Sequence, residues 1–244
     1  MLNLLLEHER SANINIQDNE DGRTPLQIAI TRGNVQAFNT LLEHGADPEI
    51  ADYHQERALH FAVEQENPEF LTRLLAIDGI DINPINYMGD TPLHTAAEVG
   101  NTHTVAILLR QGDVDVNVTT PQVQESEILE GFTPLHRAAE NGHWDTAIQL
   151  LEAGANPLAQ NHYGDTPSVT ARGFGHHALA DAIERYSVLK FKGSYVVEDQ
   201  QQQILGDFRP FEERFVEALE QAFARGLTAL LLADIQTFLS RKGF

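Results

Sequence analysis

The sequence contains no cysteine, and its first 187 residues contain no lysine. The absence of cysteine excludes disulfide bonds and thiol catalysis, and it leaves the redox compartment open. Apolar runs are short, and none approaches the 18 or more residues that a membrane-spanning helix needs. The N-terminus has no basic region before its apolar stretch and no small-residue cleavage site after it, so it does not resemble a signal peptide.

Negative charge is concentrated in one part of the chain. The net charge is −20 at pH 7 over 244 residues. Residues 1–187 hold nine arginines against 28 acidic residues, a balance of −19, while residues 188–244 hold seven basic and eight acidic residues. Such a field repels nucleic-acid phosphates and anionic membranes and attracts a basic protein. An acidic surface also keeps a protein soluble, and both interpretations stay open at this point.

A motif recurs with a period near 33 residues. GRTPLQIAITRGN (22–34) returns as QERALHFAVEQEN (55–67), GDTPLHTAAEVGN (89–101), GFTPLHRAAENGH (131–143) and GDTPSVTARGFGH (164–176). Its threonine position falls at 24, 57, 91, 133 and 166, with arginine at 57, so the spacings are 33, 34, 42 and 33. A second apolar segment with paired leucines follows each of the first four copies, and a glycine closes it.

The motif predicts two short helices in each unit. Threonine can cap a helix, and proline is tolerated at the first helical position because the missing N–H would be unpaired there. Leu93, Ala96 and Ala97 follow at helical spacing and make a small apolar face, and Gly100 ends the helix. One such unit cannot bury its apolar face alone, so the units are expected to stack.

Motif and period together resemble the ankyrin repeat, whose mark is T-P-L-H-x-A in a unit of about 33 residues. The resemblance covers residues 1–187 and implies an all-α solenoid of stacked helix-turn-helix units. The predicted units are a half-repeat at 1–20 and repeats near 21–53, 54–87, 88–129, 130–162 and 163–187. The half-repeat is either an N-terminal cap or the point where the chain was cut from a longer array.

Two repeats depart from the pattern. The second has Arg57-Ala58 in place of Thr-Pro and Glu66 in place of the helix-ending glycine, which predicts a weaker repeat. The spacing of 42 reflects a nine-residue insertion between Gly112 and Thr133, within residues 113–130. Insertions in repeat proteins map to loops on one face, so this one is either a binding finger or a neutral change of loop length.

The pattern fades toward the C-terminus. The fifth repeat has Ser168-Val169 in place of Leu-His, as a more polar terminal unit would, and the motif stops after Tyr186. Residues 188–197 are expected to form two short strands about a turn, or a loop. In the extension at 188–244, apolar residues spaced four apart predict an antiparallel helix pair at 211–225 and 227–241. This pair is expected to form a C-terminal helical cap on the solenoid, with a separate interaction module as the alternative.

The histidines are the obvious candidates for chemistry. His60, His94 and His136 occupy the same position in their repeats, and the resemblance implies that they lock the turns. Glu98 and Glu140 follow their histidines by four residues because both belong to the repeating helix, and no third ligand for zinc is evident. There is no phosphate-binding loop and no nucleophile motif. We therefore expect no catalytic residue, no metal site and no cofactor.

Binding has more support. In ankyrin-repeat proteins the turn tips and the exposed sides of the first helices line a concave groove in which partners dock. Four of the five turns here carry an aromatic residue and every turn carries an acid, a composition typical of interface hot spots. The candidate partner-binding residues, carried over by repeat position, are Tyr53, His54, Glu56, Glu64, Tyr87, Met88, Asp90, Glu98, Phe132, Glu140, Asn141, Trp144, His162, Tyr163, Asp165 and Phe174. The alternative is that these aromatic residues only pack against the neighbouring turn, and Trp144 is either an anchor or a packing residue.

The sequence thus predicts a non-catalytic, monomeric, cytoplasmic protein-binding module. The acidic field would steer a basic protein partner, and Tyr53, Tyr87, Phe132 and Tyr163 would anchor it. Nucleic acid and membrane are not expected partners. Two other functions stay open: an inhibitor or immunity protein that blocks an enzyme's active site, and a microbial effector or adaptor that acts through its C-terminal extension. A secreted effector or a processed periplasmic form is the alternative location.

Overall fold

The computed structural model describes residues 13–120 and 131–193, and it gives the backbone alone for residues 188–193. Within these two ranges the chain forms ten α-helices in five consecutive pairs and no strand. The first pair is α1 (Pro25–Thr31) and α2 (Val35–Glu43), followed by α3 (Ala58–Glu64) and α4 (Glu69–Leu75), α5 (Pro92–Val99) and α6 (Thr102–Leu109), α7 (Pro134–Glu140) and α8 (Trp144–Glu152), and α9 (Pro167–Gly173) and α10 (His177–Gly193). The predicted all-α stack of helix pairs is confirmed. Most of the half-repeat and the predicted helix pair at 211–225 and 227–241 lie outside the described residues.

A threonine begins every first helix except α3. Thr24, Thr91, Thr133 and Thr166 have extended backbone, and a proline follows each of them as the first helical residue. In α1 the hydroxyl oxygen of Thr24 accepts a hydrogen bond from the backbone N–H of Gln27 at 3.3 Å. This bond satisfies one of the amide groups that a helix start leaves unpaired. The Thr-Pro pair of the motif is therefore a helix start, as predicted.

Alanines of the first helices and leucines of the second helices form one core that runs through the repeats. These buried residues include Ala29, Ala62, Ala96, Ala138 and Ala171, with Leu41, Leu74, Leu108 and Leu150. The alanines are small, so neighbouring first helices can approach closely, while each buried leucine contributes roughly 2 kcal/mol. Most of this burial is between repeats, and the stability of each repeat therefore depends on its neighbours.

The fourth residue of the motif ties each repeat to the next one. In three repeats a histidine ring donates from Nε2 to the backbone carbonyl oxygen of the residue that ends the next turn. The pairs are His60 with Asp90 at 3.1 Å, His94 with Phe132 at 3.0 Å, and His136 with Asp165 at 3.1 Å. Nδ1 of each ring accepts the N–H of the residue before its own helix, at 3.1 Å in all three. Since Nδ1 accepts, the proton lies on Nε2 and the ring is neutral. The structural role predicted for these histidines is confirmed.

Glutamine makes the same pair of contacts in the first repeat. The Oε1 atom of Gln27 accepts the N–H of Thr24 at 2.7 Å, and its Nε2 donates to the carbonyl oxygen of Glu56 at 2.9 Å. The link therefore needs an acceptor and a donor at fixed separation, and it does not need an imidazole.

Burial keeps the histidine rings neutral. The pKa of His94 is lowered to about 3 and that of His136 to about 4, mainly by desolvation and to a smaller extent by the charge of Arg137. The pKa of His60 is lowered as well, again mainly by burial. In the unfolded chain these rings take up protons near pH 6.5. Folding is therefore disfavoured as the pH falls below that value, because only the unfolded chain gains these protons.

We predict that His94→Gln makes the fold less sensitive to acid. A histidine with a folded pKa of about 3 and an unfolded pKa of about 6.5 should lose roughly 2 kcal/mol of stability between pH 7 and pH 5, whereas glutamine does not titrate. The free energy of unfolding in urea, measured for both proteins at the two pH values, tests this. The raised pKa values of Glu56 and Glu64 act with the opposite sign, and they cancel in the comparison. Equal pH dependence of the two proteins would contradict the neutral-ring assignment.

The second repeat departs from the pattern at both ends of its first helix. Arg57 replaces the capping threonine, and its guanidinium group forms ion pairs with Glu49 and, at 3.0 Å, with Asp81. At the other end α3 stops at Glu64, and Gln65 continues in extended conformation. Before the helix, Gln55 has a φ of +59°, and it is the only non-glycine residue with positive φ in the described ranges. Its counterpart in the third repeat is Gly89, with a φ of +80°.

We predict that Gln55→Gly stabilises the protein by about 1 kcal/mol, because a side chain disfavours the left-handed region and glycine does not. The reverse change at the equivalent position, Gly89→Gln, should destabilise it by at least as much. Urea unfolding of the two variants beside the parent protein measures both effects. A Gln55→Gly variant no more stable than the parent would show that the turn gains nothing from relief of this strain.

The insertion enters the chain at the tip of a turn. In the other turns a backbone hydrogen bond closes the base, as between the N–H of Asn86 and the carbonyl oxygen of Asp90 at 3.0 Å. The N–H of Thr120 makes the equivalent bond with the carbonyl oxygen of Phe132 at 2.9 Å, and the N–H of Phe132 donates to Oγ1 of Thr120 at 3.0 Å. The turn base spans 12 residues here against 4 at Asn86 and Asp90, so eight of the nine extra residues lie between 120 and 132, and the repeat on each side keeps its register. Residues 121–130 themselves lie outside the described residues.

The last helix is longer than the sequence pattern predicts. It continues from His177 to Gly193, so the expectation of two strands or a loop from residue 188 is wrong as far as residue 193. Extending an existing helix adds one hydrogen bond for each residue fixed, whereas starting new structure does not.

In the fifth repeat Val169 replaces the histidine and is 47% exposed, while Ser168 is buried and its hydroxyl lies 3.0 Å from that of Thr166. Valine cannot make the link to a following turn.

Candidate protein-binding surface

The turn tips of successive repeats are joined by backbone hydrogen bonds. The N–H of Tyr53 donates to the carbonyl oxygen of Asp21 at 2.8 Å, and the N–H of Tyr87 donates to that of His54, also at 2.8 Å. These bonds set the turns side by side. We call the turn tips and the solvent-facing sides of the first helices the turn-and-helix face.

Three of the four predicted aromatic anchors are exposed on this face. Tyr53, Tyr87 and Tyr163 have 64%, 55% and 66% of their surface accessible to solvent. The ring of Tyr53 also lies so close to Gly22 that a side chain there would collide with it, and the ring of Tyr87 lies 5.6 Å from that of His54. Tyr53 and Tyr87 therefore pack against the preceding turn on one side and remain open to a partner on the other.

The three tyrosines occupy two different positions within their turns. Tyr53 and Tyr87 each follow the residue that closes the base of the turn, and His162 holds that place in the last turn, where its ring covers Gly131. Tyr163 lies one position later, beside the turn glycine, where the second turn has His54 and the third has the half-buried Met88. His54 and His162 are exposed. Matching the turns by residue type alone conceals this offset.

Phe132 is not a surface anchor, contrary to the sequence prediction. It is 5% exposed, its ring stacks on that of His136 with centroids 5.2 Å apart, and the guanidinium group of Arg137 lies 5.1 Å from its centroid. The short turn base with Thr120 holds the backbone here, and burial against two neighbouring side chains removes apolar surface from water.

The prediction that Asp90 binds a partner is also corrected, because its side chain is buried. Its side chain is 4% exposed, and one of its oxygens lies 3.1 Å from Nη2 of Arg137. Burial raises the pKa of Asp90, and the charge and hydrogen bonds of Arg137 oppose this. Arg137 was absent from the sequence-based candidates. The signal that could have found it is a basic residue directly after the TPLH motif, in a chain with few cations.

The remaining candidates differ in exposure. Trp144 begins α8 and is half-buried against the core, which favours its packing role. Glu140 is half-buried, and its carboxylate lies 3.4 Å from Nη1 of Arg137. Asp165 is half-buried. Asn141 is exposed, and Phe174 is 59% exposed. The open part of the face therefore consists of tyrosines, Phe174 and a set of carboxylates.

Three glutamates give the face its charge. Glu64 and Glu98 are exposed near the ends of α3 and α5, and Glu56 is half-buried in the turn before α3. Partial burial raises the pKa of Glu64, and the negative charges of Glu56 and Glu98 raise it further. The pKa of Glu56 is raised by burial and by the charge of Asp52. Turn and helix acids are thus close enough to act on one another, and each would gain from a nearby cation.

The histidines of the motif have no free nitrogen for metal or proton-transfer chemistry. In His94 and His136 both ring nitrogens are held by Thr-Pro helix starts and neighbouring turns. His143 donates from Nε2 to the carbonyl oxygen of Glu98 at 2.7 Å. Across the residues described, no three His, Asp or Glu side chains are grouped so as to hold a metal ion. Within the same ranges, no helix combines the length and apolar character that crossing a membrane requires.

We predict that Asp90→Asn costs about 3 kcal/mol, because it removes the buried carboxylate of the ion pair and leaves Arg137 paired only with the less buried Glu140 among the described residues. The matched control is Asp81→Asn, which removes an exposed carboxylate from its pair with Arg57 and should cost less than about 1 kcal/mol. Both values come from urea unfolding at pH 7. Similar costs at the two sites would contradict the difference in burial.

Comparison with known proteins agrees with this architecture. A family model described as ankyrin repeats (3 copies) matches residues 1–86 and 59–161. The chain therefore belongs to the ankyrin-repeat family, whose repeats generally mediate protein–protein interactions.

Three relatives match the chain over part of its length. The B-cell lymphoma 3 protein homolog of Mus musculus is 30% identical over 166 residues, 67% of this chain and 35% of that protein. The nuclear factor NF-kappa-B p105 subunit of Gallus gallus is 33% identical over 113 residues, 46% of this chain and 12% of that protein. The palmitoyltransferase AKR1 of Lachancea kluyveri is 33% identical over 104 residues, 41% of this chain and 14% of that protein. The chain thus spans about a third or less of the length of these relatives.

Proposed function

We propose that the protein is a non-catalytic binding module that takes a basic protein partner on its turn-and-helix face. The observation that carries this is the pairing of exposed aromatic residues with carboxylates. Tyr53, Tyr87 and Tyr163 are open to solvent, and Glu64 and Glu98 lie on the neighbouring helices. Aromatic residues supply most of the energy at protein interfaces, and charges of one sign select a partner of the other sign.

Charge and aromatic anchors act at different stages of binding. The balance of −19 over residues 1–187 raises the rate of encounter with a basic partner, and salt screens this effect. The tyrosines then slow dissociation, and the rings of Tyr53 and Tyr87 lose little freedom on binding because they already pack against the preceding turn. The same like-charge repulsion disfavours self-association, so the module acts as a monomer, and we place it in the cytoplasm.

We predict that Tyr87→Ala combined with Tyr163→Ala weakens partner capture at least tenfold, since two exposed anchors would be lost. The full chain is used as bait for a cell lysate, and the captured protein is identified and its affinity measured. The control is Ile85→Ala with Leu158→Ala, which removes two exposed apolar side chains (50% and 48% exposed) outside the turn tips and first helices.

Two outcomes would count against the proposal. Unchanged capture by the tyrosine variant would exclude the turn-and-helix face as the binding surface. An acidic partner, or an affinity that does not fall between 50 mM and 300 mM salt, would exclude electrostatic steering.

A further inference from the structure

Two guanidinium groups on the turn-and-helix face are already engaged by side chains of the same protein. Arg137 pairs with Asp90 at 3.1 Å and lies 5.1 Å from the ring centroid of Phe132. Arg23 lies 3.7 Å from the carboxylate of Asp52 and 5.0 Å from the ring centroid of Phe61. Each cation thus combines a carboxylate with an aromatic face, which are the two partners that arginine favours.

Between these two arginines lie two carboxylates that form no ion pair. Glu64 ends α3 and Glu98 lies in the last turn of α5, so they occupy the same position in neighbouring repeats. Both are exposed, and neither forms an ion pair or a side-chain hydrogen bond with any residue in the described ranges. Burial and the charge of Glu56 raise the pKa of Glu64 while the charge of Arg23 lowers it, and the charge of Glu98 raises the pKa of Arg137. The two arginines therefore act on these glutamates without direct contact, and neither carboxylate is neutralised by a bound cation.

The character of the face changes beyond Arg137. In the fifth repeat Gly173 holds the position of Glu64 and Glu98, and Phe174 beside it is 59% exposed. Tyr163 on the adjacent turn is 66% exposed. The nearby charge of Arg172 is balanced by ion pairs with Asp181 and Glu184. The C-terminal end of the face is accordingly aromatic where the N-terminal end is acidic.

We propose that the partner binds in one orientation along the repeats, with an arginine between Glu64 and Glu98 and an apolar segment on Tyr163 and Phe174. This inference rests on the proposed function and adds the chemistry and direction of the ligand. The occupant is an extended, arginine-bearing segment of a protein. Charge complementarity selects a cation at the acidic end, and a planar guanidinium group, with five N–H donors in a fixed fork, is better suited to bridge two carboxylates than the compact ammonium group of lysine.

We call the proposed arginine-binding site between Glu64 and Glu98 the arginine seat. It is tested with a fluorescein-labelled hexaarginine peptide and the full chain, by fluorescence polarisation in 50 mM salt. The variant Glu64→Gln with Glu98→Gln should raise the Kd about tenfold, the effect of losing two favourable charge contacts. The control is Glu43→Gln with Asp78→Asn, which removes two exposed carboxylates in and after the second helices and should change the Kd less than about twofold. Equal weakening by both variants would overturn the seat, since total charge alone would then explain binding.

The orientation is tested with a second peptide, in which a Gly-Ser spacer joins six arginines to two tryptophans. Helix pairs stack about 10 Å apart, so the two or three repeats from the glutamates to Phe174 span roughly 20–30 Å, or about eight residues of extended chain. An eight-residue spacer should bind about tenfold more tightly than hexaarginine, and a two-residue spacer should lose that gain. Tyr163→Ala with Phe174→Ala should abolish the gain and leave hexaarginine binding unchanged.

A gain that does not depend on spacer length, or that survives the loss of both aromatic residues, would overturn the orientation. These outcomes are separable from failure of the proposed function. If the tyrosine variants lose the native partner while the peptides show no preference for the glutamates, the binding face stands and the arginine seat fails.

Discussion

The hydrogen bond from the fourth residue of the motif to the next turn is the interaction on which this protein depends most. His94 shows why: its ring is buried, neutral and held at both nitrogens, so it sets the distance between its own helix start and the carbonyl group that ends the following turn. Gln27 satisfies the same geometry with an amide. Because each of the four later turns is positioned by the preceding repeat, the turn tips align, and side chains from distant parts of the chain come to lie on one face.

This constraint divides the residues of each repeat into two groups. The Thr-Pro start, the fourth residue and the alanines are fixed by stacking, and they recur. The position after the histidine and the last helical turn are left free, and there the repeats differ: Arg137 and Phe61 occupy one such position, Glu64 and Glu98 the other. The side chains specific to this protein are therefore found at positions where stacking of the repeats does not require a particular residue.

The recurring group could be predicted from the sequence, and the variable group only in part. Period and motif predict the helix pairs and their starts, because each follows from local geometry repeated along the chain, and the family resemblance implies the structural role of the histidines. The burial of Phe132 and Asp90 could not be predicted in this way, since it depends on contacts with Arg137, which lies in the same repeat as Phe132 and in the repeat after that of Asp90. The run of α10 past residue 187 was missed because alternating apolar residues are compatible with both helix and strand.

The base of the extended turn has a consequence for how this fold can change. Thr120 and Phe132 close it with the same backbone bond as the shorter turns, so the length of the tip is uncoupled from the spacing of the helices. His94 still finds its acceptor at Phe132, although 38 residues separate them, against 30 for His60 and Asp90. This turn is therefore a site at which additional sequence could be inserted without changing how the repeats stack. Evolution and protein engineering could both use this site to add contacts with a partner, because it adjoins the turn-and-helix face.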